Sequence, residues 1–390
     1  MERPPAPRWW NDARGRALFY QAALLAGLGG LAWFLIANTL ANLEARHIAT
    51  GFAFLGQEAA FGIGEHLIPY SAADSYLRAF VVGLLNTLEV SALGILFCTL
   101  LGGLIGAARL SPNPLVRALA GGYVEAVRNV PLLLQLLLWY ALITEGLPAP
   151  RQALALFDSV FLSNRGLKLP VPLWAGATPA LCLAVAAAAL AVMALAWAAR
   201  RIRARSGRQL PTFRLAAALL IGLPLAAFLA AGAELPLERP RLAGFNFTGG
   251  VTLTPEFAAL LFGLTVYTAA FVAEIVRGGI LAVPPGQTEA ALALGLSRGR
   301  VLRLVVLPQA LRVVVPPLTS QYLNLTKNST LAVAIGYPDL VSVGNTAINQ
   351  TGQAVEGVAI LMAVYLTLSL GLSLAMNRFN ARVALRGGRP

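Results

Sequence analysis

Ionisable side chains stand inside apolar runs at four places in this chain: Glu89, the pair Glu125 and Arg128, the pair Glu274 and Arg277, and Lys327. A charge within a membrane-crossing segment costs about 2.5–3.5 kcal/mol on insertion scales and turns toward the protein interior. Each Glu–Arg pair is spaced i, i+3, so on a helix the two side chains share one face and can neutralise each other. That makes the pairs braces of helix packing, and Glu274/Arg277 a brace for the root of the loop that follows. Glu274, Lys327, Asn328 and Ser329 also offer one anion and several donors to a polar solute and are candidate contact residues. His47 and His66 are the only histidines, and with Glu44, Glu58, Glu65 and Asp74 nearby their spacing fits no metal signature. They are expected to be solvated loop residues, with no metal site. No Ser/His/Asp or Cys/His set is arranged for catalysis. Cys98 and Cys182 lie in apolar runs and are expected to be small core residues.

The elements that must position these groups are long and apolar. Of the 390 residues, 57% are hydrophobic and only 12% are charged, about half the share usual in soluble domains. An ordinary soluble domain, a disordered chain and a small secreted scaffold are all excluded. About 20 apolar helical residues cross a bilayer. The runs predict an all-α integral membrane protein with eight segments, near 17–40, 80–108, 115–145, 173–199, 212–235, 256–276, 308–336 and 354–377. Strand-like alternation is absent, so a barrel is not expected. The first run is too long for a signal peptide and is read as a retained helix.

Basic residues fall on alternate connections. Arg3, Arg8, Arg14 and Arg16 precede the first segment, Arg200 to Arg214 lie between the fourth and fifth, and Arg378 to Arg389 follow the last. In total 22 basic residues lie on this side and 7 on the other, where Arg46, Arg151 and Arg239 are found. The bias predicts both termini in the cytoplasm and contact with anionic lipid. It accounts for the net charge of +13 without nucleic acid.

One cytoplasmic connection carries its own punctuation, Pro284-Pro285-Gly286-Gln287-Thr288-Glu289-Ala290-Ala291-Leu292-Ala293-Leu294-Gly295-Leu296-Ser297. Pro-Pro-Gly breaks the preceding helix. A short helix starts at Gln287 or Thr288, with Glu289 in its first turn near the positive end. Gly295 stops it in a left-handed turn, and Ser297 caps a second helix running to Leu307-Pro308. So short a helix is not stable alone. Ala290, Ala291 and Ala293 let another surface approach, either a docking partner or the bilayer surface.

Glu289-Ala290-Ala291, Gly295, Val305 and Leu307-Pro308 resemble the EAA loop of binding-protein-dependent ABC importer permeases, with Val305 where isoleucine is usual. Gly83 to Leu88, Glu125 to Leu133, Ala273 to Ile280 and Lys327 to Leu331 resemble the polar amino-acid branch. The resemblance spans about residues 80–380, a type I permease core. An extra first helix and an insertion at 146–255 resemble the larger permease of general L-amino-acid uptake systems. The domain scheme is therefore 1–79, 80–380 with the insertion, and a tail at 381–390. The resemblance implies a bacterial inner-membrane permease without ATPase activity of its own. ABC ATPase subunits hold ATP-Mg, a second and different permease subunit completes the pore, and a periplasmic amino-acid-binding protein delivers substrate. It implies ATPase coupling through Glu289, Ala290, Ala291, Gly295, Leu307 and Pro308. It also makes an amino-acid zwitterion, which needs an anion for its ammonium and donors for its carboxylate, the solute that the candidate substrate-path residues Glu274, Lys327, Asn328 and Ser329 would meet. No Gly-x-x-x-x-Gly-Lys-Ser/Thr stretch is present. The alternative is an ion-coupled secondary transporter using Glu89 and Glu274, for which no inverted repeat is visible. Gly278-Gly279 and Pro316-Pro317 weaken or kink helices near the loop, either as hinges for alternating access or as the packing features usual in membrane helices.

Overall fold

The computed structural model describes residues 13–45, 50–157, 159–206 and 210–383. Arg3, Arg8, Arg46, His47, Arg208, Arg386 and Arg389, singled out by their charge or chemistry, lie outside the described residues, as does most of the 381–390 tail. Helices dominate: α1 (Ala13–Ala45), α2 (Tyr76–Ala108), α3 (Pro114–Asn129), α4 (Leu132–Thr144), α5 (Thr178–Ser206), α6 (Thr212–Ala230), α7 (Pro255–Leu281), α8 (Pro285–Ala293), α9 (Arg298–Val301), α10 (Leu307–Asn328), α11 (Leu340–Thr351) and α12 (Ala354–Val383). Among the described residues, seven helical stretches are long and apolar enough to cross a membrane, and the α3–α4 pair makes up to eight.

The segment expected over 115–145 is not a straight helix, because α3 and α4 meet at an angle of 104°. Val130 is extended (φ −104°, ψ 128°), as the residue before a proline prefers. Pro131 has no N–H for the Val127 carbonyl. Gln135 replaces it, its Nε2 donating to Val127 O at 2.9 Å and to Val130 O at 3.0 Å. The break is thereby satisfied inside the protein, as an apolar surrounding requires.

The connections at 146–172 and 236–255 hold β structure that the sequence reading did not anticipate. Strands β1 (Leu154–Leu156), β2 (Val160–Ser163), β3 (Gly166–Leu169) and β8 (Val251–Leu253) form an antiparallel sheet in the order β1-β2-β3-β8. The remaining strands, β4 (Val171–Pro172), β5 (Leu237–Glu238), β6 (Arg241–Ala243) and β7 (Asn246–Thr248), make two short ribbons, β4 with β5 and β6 with β7. Lys168 on β3 is buried and its Nζ donates to Thr252 Oγ1 on β8. Burial, then the charge of Arg165, pulls its ammonium below the usual lysine range. These strands are too short to show an alternating pattern, which is why the sequence concealed them.

Two compact units account for the chain: Met1–Ala92 with Gly279–Pro390, and Leu93–Gly278. In the first, Phe54, Tyr76, Phe80, Leu340, Val343 and Ala347 belong to one buried cluster. Gly83 permits a close approach there, since a Cβ would lie 3.0 Å from Leu340 Cα and 3.1 Å from Asp339 O. Asn86 Nδ2 donates to Glu65 O at 2.8 Å and to Pro338 O at 2.9 Å, tying the segment before α2 to the turn before α11. In the second unit α5 and α6 pack against each other, and α2 and α7 approach through glycines described below. Cys98 is buried, whereas Cys182 is exposed on α5. The latter departs from the expected core position, because α5 turns much of its apolar surface outward.

Candidate functional site

The helix predicted in the 284–297 loop is α8, beginning at Pro285, two residues before the sequence-based start. Proline is well suited to a first helical turn, where its missing N–H has no partner to lose. Its other end is a Schellman motif. Gly295 sits at φ +78°, its N–H donates to Leu292 O at 2.9 Å, and Leu296 N–H donates to Ala291 O at 3.2 Å. Ala291 and Leu296, the two residues that make the apolar contact of such a cap, both belong to the cluster of Val283, Val301, Val306 and Ala310.

Ala291 is therefore turned inward, 6% exposed. That corrects its expected place on the docking face: it seats α8 on its own unit. Glu289 and Ala290 are exposed, as are Ala293 and Leu294, the last at 83%. What α8 and its C-cap present outward is one carboxylate, the Gln287 amide, small side chains and the exposed leucines Leu292 and Leu294.

Ser297 stands at the start of α9 without a side-chain cap hydrogen bond. The helix does not stop at Leu307-Pro308 as expected. It passes through a π turn over Leu302–Val306, in which Leu307 N–H donates to Leu302 O, and continues as α10. A π turn absorbs the N–H that Pro308 lacks. Leu307 is exposed and Pro308 half-buried, with Gln309 Nε2 donating to Val305 O at 3.1 Å. The candidate hinges are unbroken helix in this structure, since α7 runs through Gly278-Gly279 and α10 through Pro316-Pro317. Gly279 is a contact point: a Cβ there would lie 2.2 Å from Val314 Cγ2.

The buried ions sort differently from the sequence expectation. Glu125 and Arg128 form no ion pair among the described residues, and Arg128 lies over the Phe271 ring at 5.0 Å instead. Glu274 and Arg277 do pair, Arg277 Nη2 donating to Glu274 Oε1 at 2.5 Å. A third member was missed: Arg109, just past α2, donates through Nη1 to Glu274 Oε2. Two arginines hold this carboxylate. Ser329 is fully buried with Oγ donating to Thr326 O at 2.8 Å. Lys327 is exposed and Asn328 half-buried at the end of α10.

Between the last two spans, the helix start at α11 holds a group that sequence reasoning passed over. Asp339 is fully buried and its Oδ1 accepts Ser342 N–H at 2.8 Å as the N-cap. Burial pushes this carboxyl up to about 7, against the lowering effect of the Ser342 and Val341 N–H groups and of the Tyr365 hydroxyl. An Asp one residue before an apolar helix was the available signal.

Comparison with known proteins agrees with these elements. The family described as binding-protein-dependent transport system inner membrane component matches residues 210–385. The chain is 51% identical to the putative amino-acid ABC transporter permease protein YhdX of Escherichia coli (strain K12), over 95% of this chain and 94% of that one. It is 48% identical to the general L-amino acid transport system permease protein AapQ of Rhizobium johnstonii, over 96% and 94%. With the glutamate/glutamine/aspartate/asparagine transport system permease protein BztB of Rhodobacter capsulatus it shares 43% identity over 96% and 95%.

Proposed function

The chain belongs to the binding-protein-dependent ABC transporter permeases, and from that premise we propose that it carries amino acids through the bacterial inner membrane on power supplied by partner ATPases. The observation that carries this reading is α8, a short helix locked at its C-terminal end by a Schellman motif, seated by Ala291 and presenting Glu289, Ala290 and Leu294 outward. Such a helix is a rigid handle. Force applied to its exposed side passes through Ala291 into Val301, Val306 and Ala310, and so into α10.

In this reading the α8 loop and both termini face the cytoplasm, supported by the arginine bias. The ATPase subunits bind ATP-Mg and grip α8 through Glu289, Ala290 and the turn at Gly295. Leu307 and Pro308 link the handle to α10. Residues 80–380 form the permease core, and a second, different permease subunit completes the pore. A periplasmic binding protein releases the amino acid to the outer face. Lys327 and Asn328 offer an ammonium and an amide to the substrate carboxylate as it passes. The general L-amino acid system of one relative and the glutamate/glutamine/aspartate/asparagine system of another support the substrate class. No step of this cycle asks for bond-making chemistry in this chain.

The test is co-expression with the neighbouring ATPase and purification through it. Glu289→Lys and Gly295→Asp are expected to release the ATPase and abolish ATP-driven amino-acid uptake in proteoliposomes. Full copurification and full uptake in both variants would overturn the assignment.

A further inference from the structure

The loop end of α2 is joined to α7 by three successive contacts on one face. A Cβ on Gly102 would lie 2.6 Å from Val272 Cβ and 2.8 Å from Ala269 O. One turn on, a Cβ on Gly106 would lie 2.7 Å from Ala273 O and 2.9 Å from Val276 Cβ. The Gly-x-x-x-Gly spacing lets the two backbones touch, the arrangement by which helices associate where lipid removes the hydrophobic drive. At the next position on that face, i+7 from Gly102, Arg109 reaches Glu274, whose other oxygen is held by Arg277. The side chains are 17% exposed for Arg109 and 32% for Glu274 and Arg277. Partial shielding raises the worth of these pairs above that of surface ones.

A seam of glycines fixes the distance between two helices but resists sliding poorly, because it has no interlocking side chains. The ion pairs supply what it lacks, at the end where α7 runs through Ala282–Pro284 into α8. We propose that Arg109, Glu274 and Arg277 are a positioning clasp that makes the loop ends of α2 and α7 move as one body when α8 is displaced. The inference rests on the reading of α8 as the ATPase handle. Without the clasp, part of each stroke is lost as slippage of α7 along α2, and ATP is hydrolysed without a matching transport event.

The experiment uses the complete importer in proteoliposomes, with its ATPase and binding protein, and measures amino acid taken up per ATP hydrolysed. Arg109→Gln is expected to keep ATP hydrolysis and lower uptake per ATP by about fivefold or more, a coupling loss of ordinary size. Arg109→Lys, which keeps the charge, is expected to restore most of it. A merely structural pair would lower the yield of complex while the surviving fraction kept its normal ratio. An unchanged ratio in Arg109→Gln overturns the clasp. Failure of the wild-type complex to link ATP to amino-acid uptake would instead overturn the underlying functional reading, so the two failures are distinguishable.

Discussion

Asp339 gives the structure a pH dependence whose size can be worked out. The ordinary carboxyl value is 3.8 and burial lifts this one to about 7. The folded state therefore holds the proton more tightly than the unfolded chain. A group raised in the fold contributes its stability fully below the unfolded value and loses it as pH rises through the folded one. The whole gap of about three pH units corresponds to about 4 kcal/mol at about 1.36 kcal/mol each. Between pH 5 and pH 8 the linkage relation assigns about 2–3 kcal/mol of that loss. The affected element is α11, whose first turn depends on Asp339 Oδ1 and which packs on α12. Hydrogen exchange of the α11 amides in the purified complex, corrected for intrinsic exchange rates, reads this directly. Protection should fall by one to two orders of magnitude, about 1.4 kcal/mol per decade, from pH 5 to pH 8. In Asp339→Asn, which keeps a capping oxygen without a titrating proton, that fall should vanish. The same fall in the variant as in wild type would show that Asp339 is not its source and refute the reasoning.

Other consequences are open to direct measurement. Gly295→Ala places a Cβ at φ +78°, which costs about 1–2 kcal/mol; exchange protection at the C-terminal end of α8 should drop accordingly and ATPase copurification weaken. Gly279→Val drives side-chain atoms into Val314, 2.2 Å from where its Cβ would sit, at about 1–3 kcal/mol; the thermal midpoint of the complex should fall, and Val314→Ala in the same chain should recover part of it. Lys327→Gln removes an exposed in-span ammonium. The KM for uptake should rise by about tenfold or more with ATPase activity unchanged, and an unaltered KM removes Lys327 from the path.

Much of this protein was legible because the signals are local. Uninterrupted apolar stretches mark spans, since the bilayer sets their length. Gly295 had to be glycine because a helix ending there needs positive φ, and Glu274 could meet Arg277 because three residues bring side chains to one face. Each of these depends on a few neighbours along the chain. The Gly102-x-x-x-Gly106 spacing was visible too, but nothing local names the helix it touches.

Other features depend on which surfaces meet. Whether Ala290 or Ala291 points outward depends on the rotation of α8 about its axis, and that is set by Val301, Val306 and Ala310. Arg109 joins Glu274 across 165 positions of sequence, through two helices whose apolar faces carry no periodic stripe because lipid accepts every side of them. The 104° bend at Val130-Pro131, by contrast, carried a local mark in the proline, and Gln135 in the next helical turn repairs the broken backbone pairing. In water, the polar face of a helix announces its orientation; in a bilayer that label is erased, and only packed neighbours decide which way each residue turns.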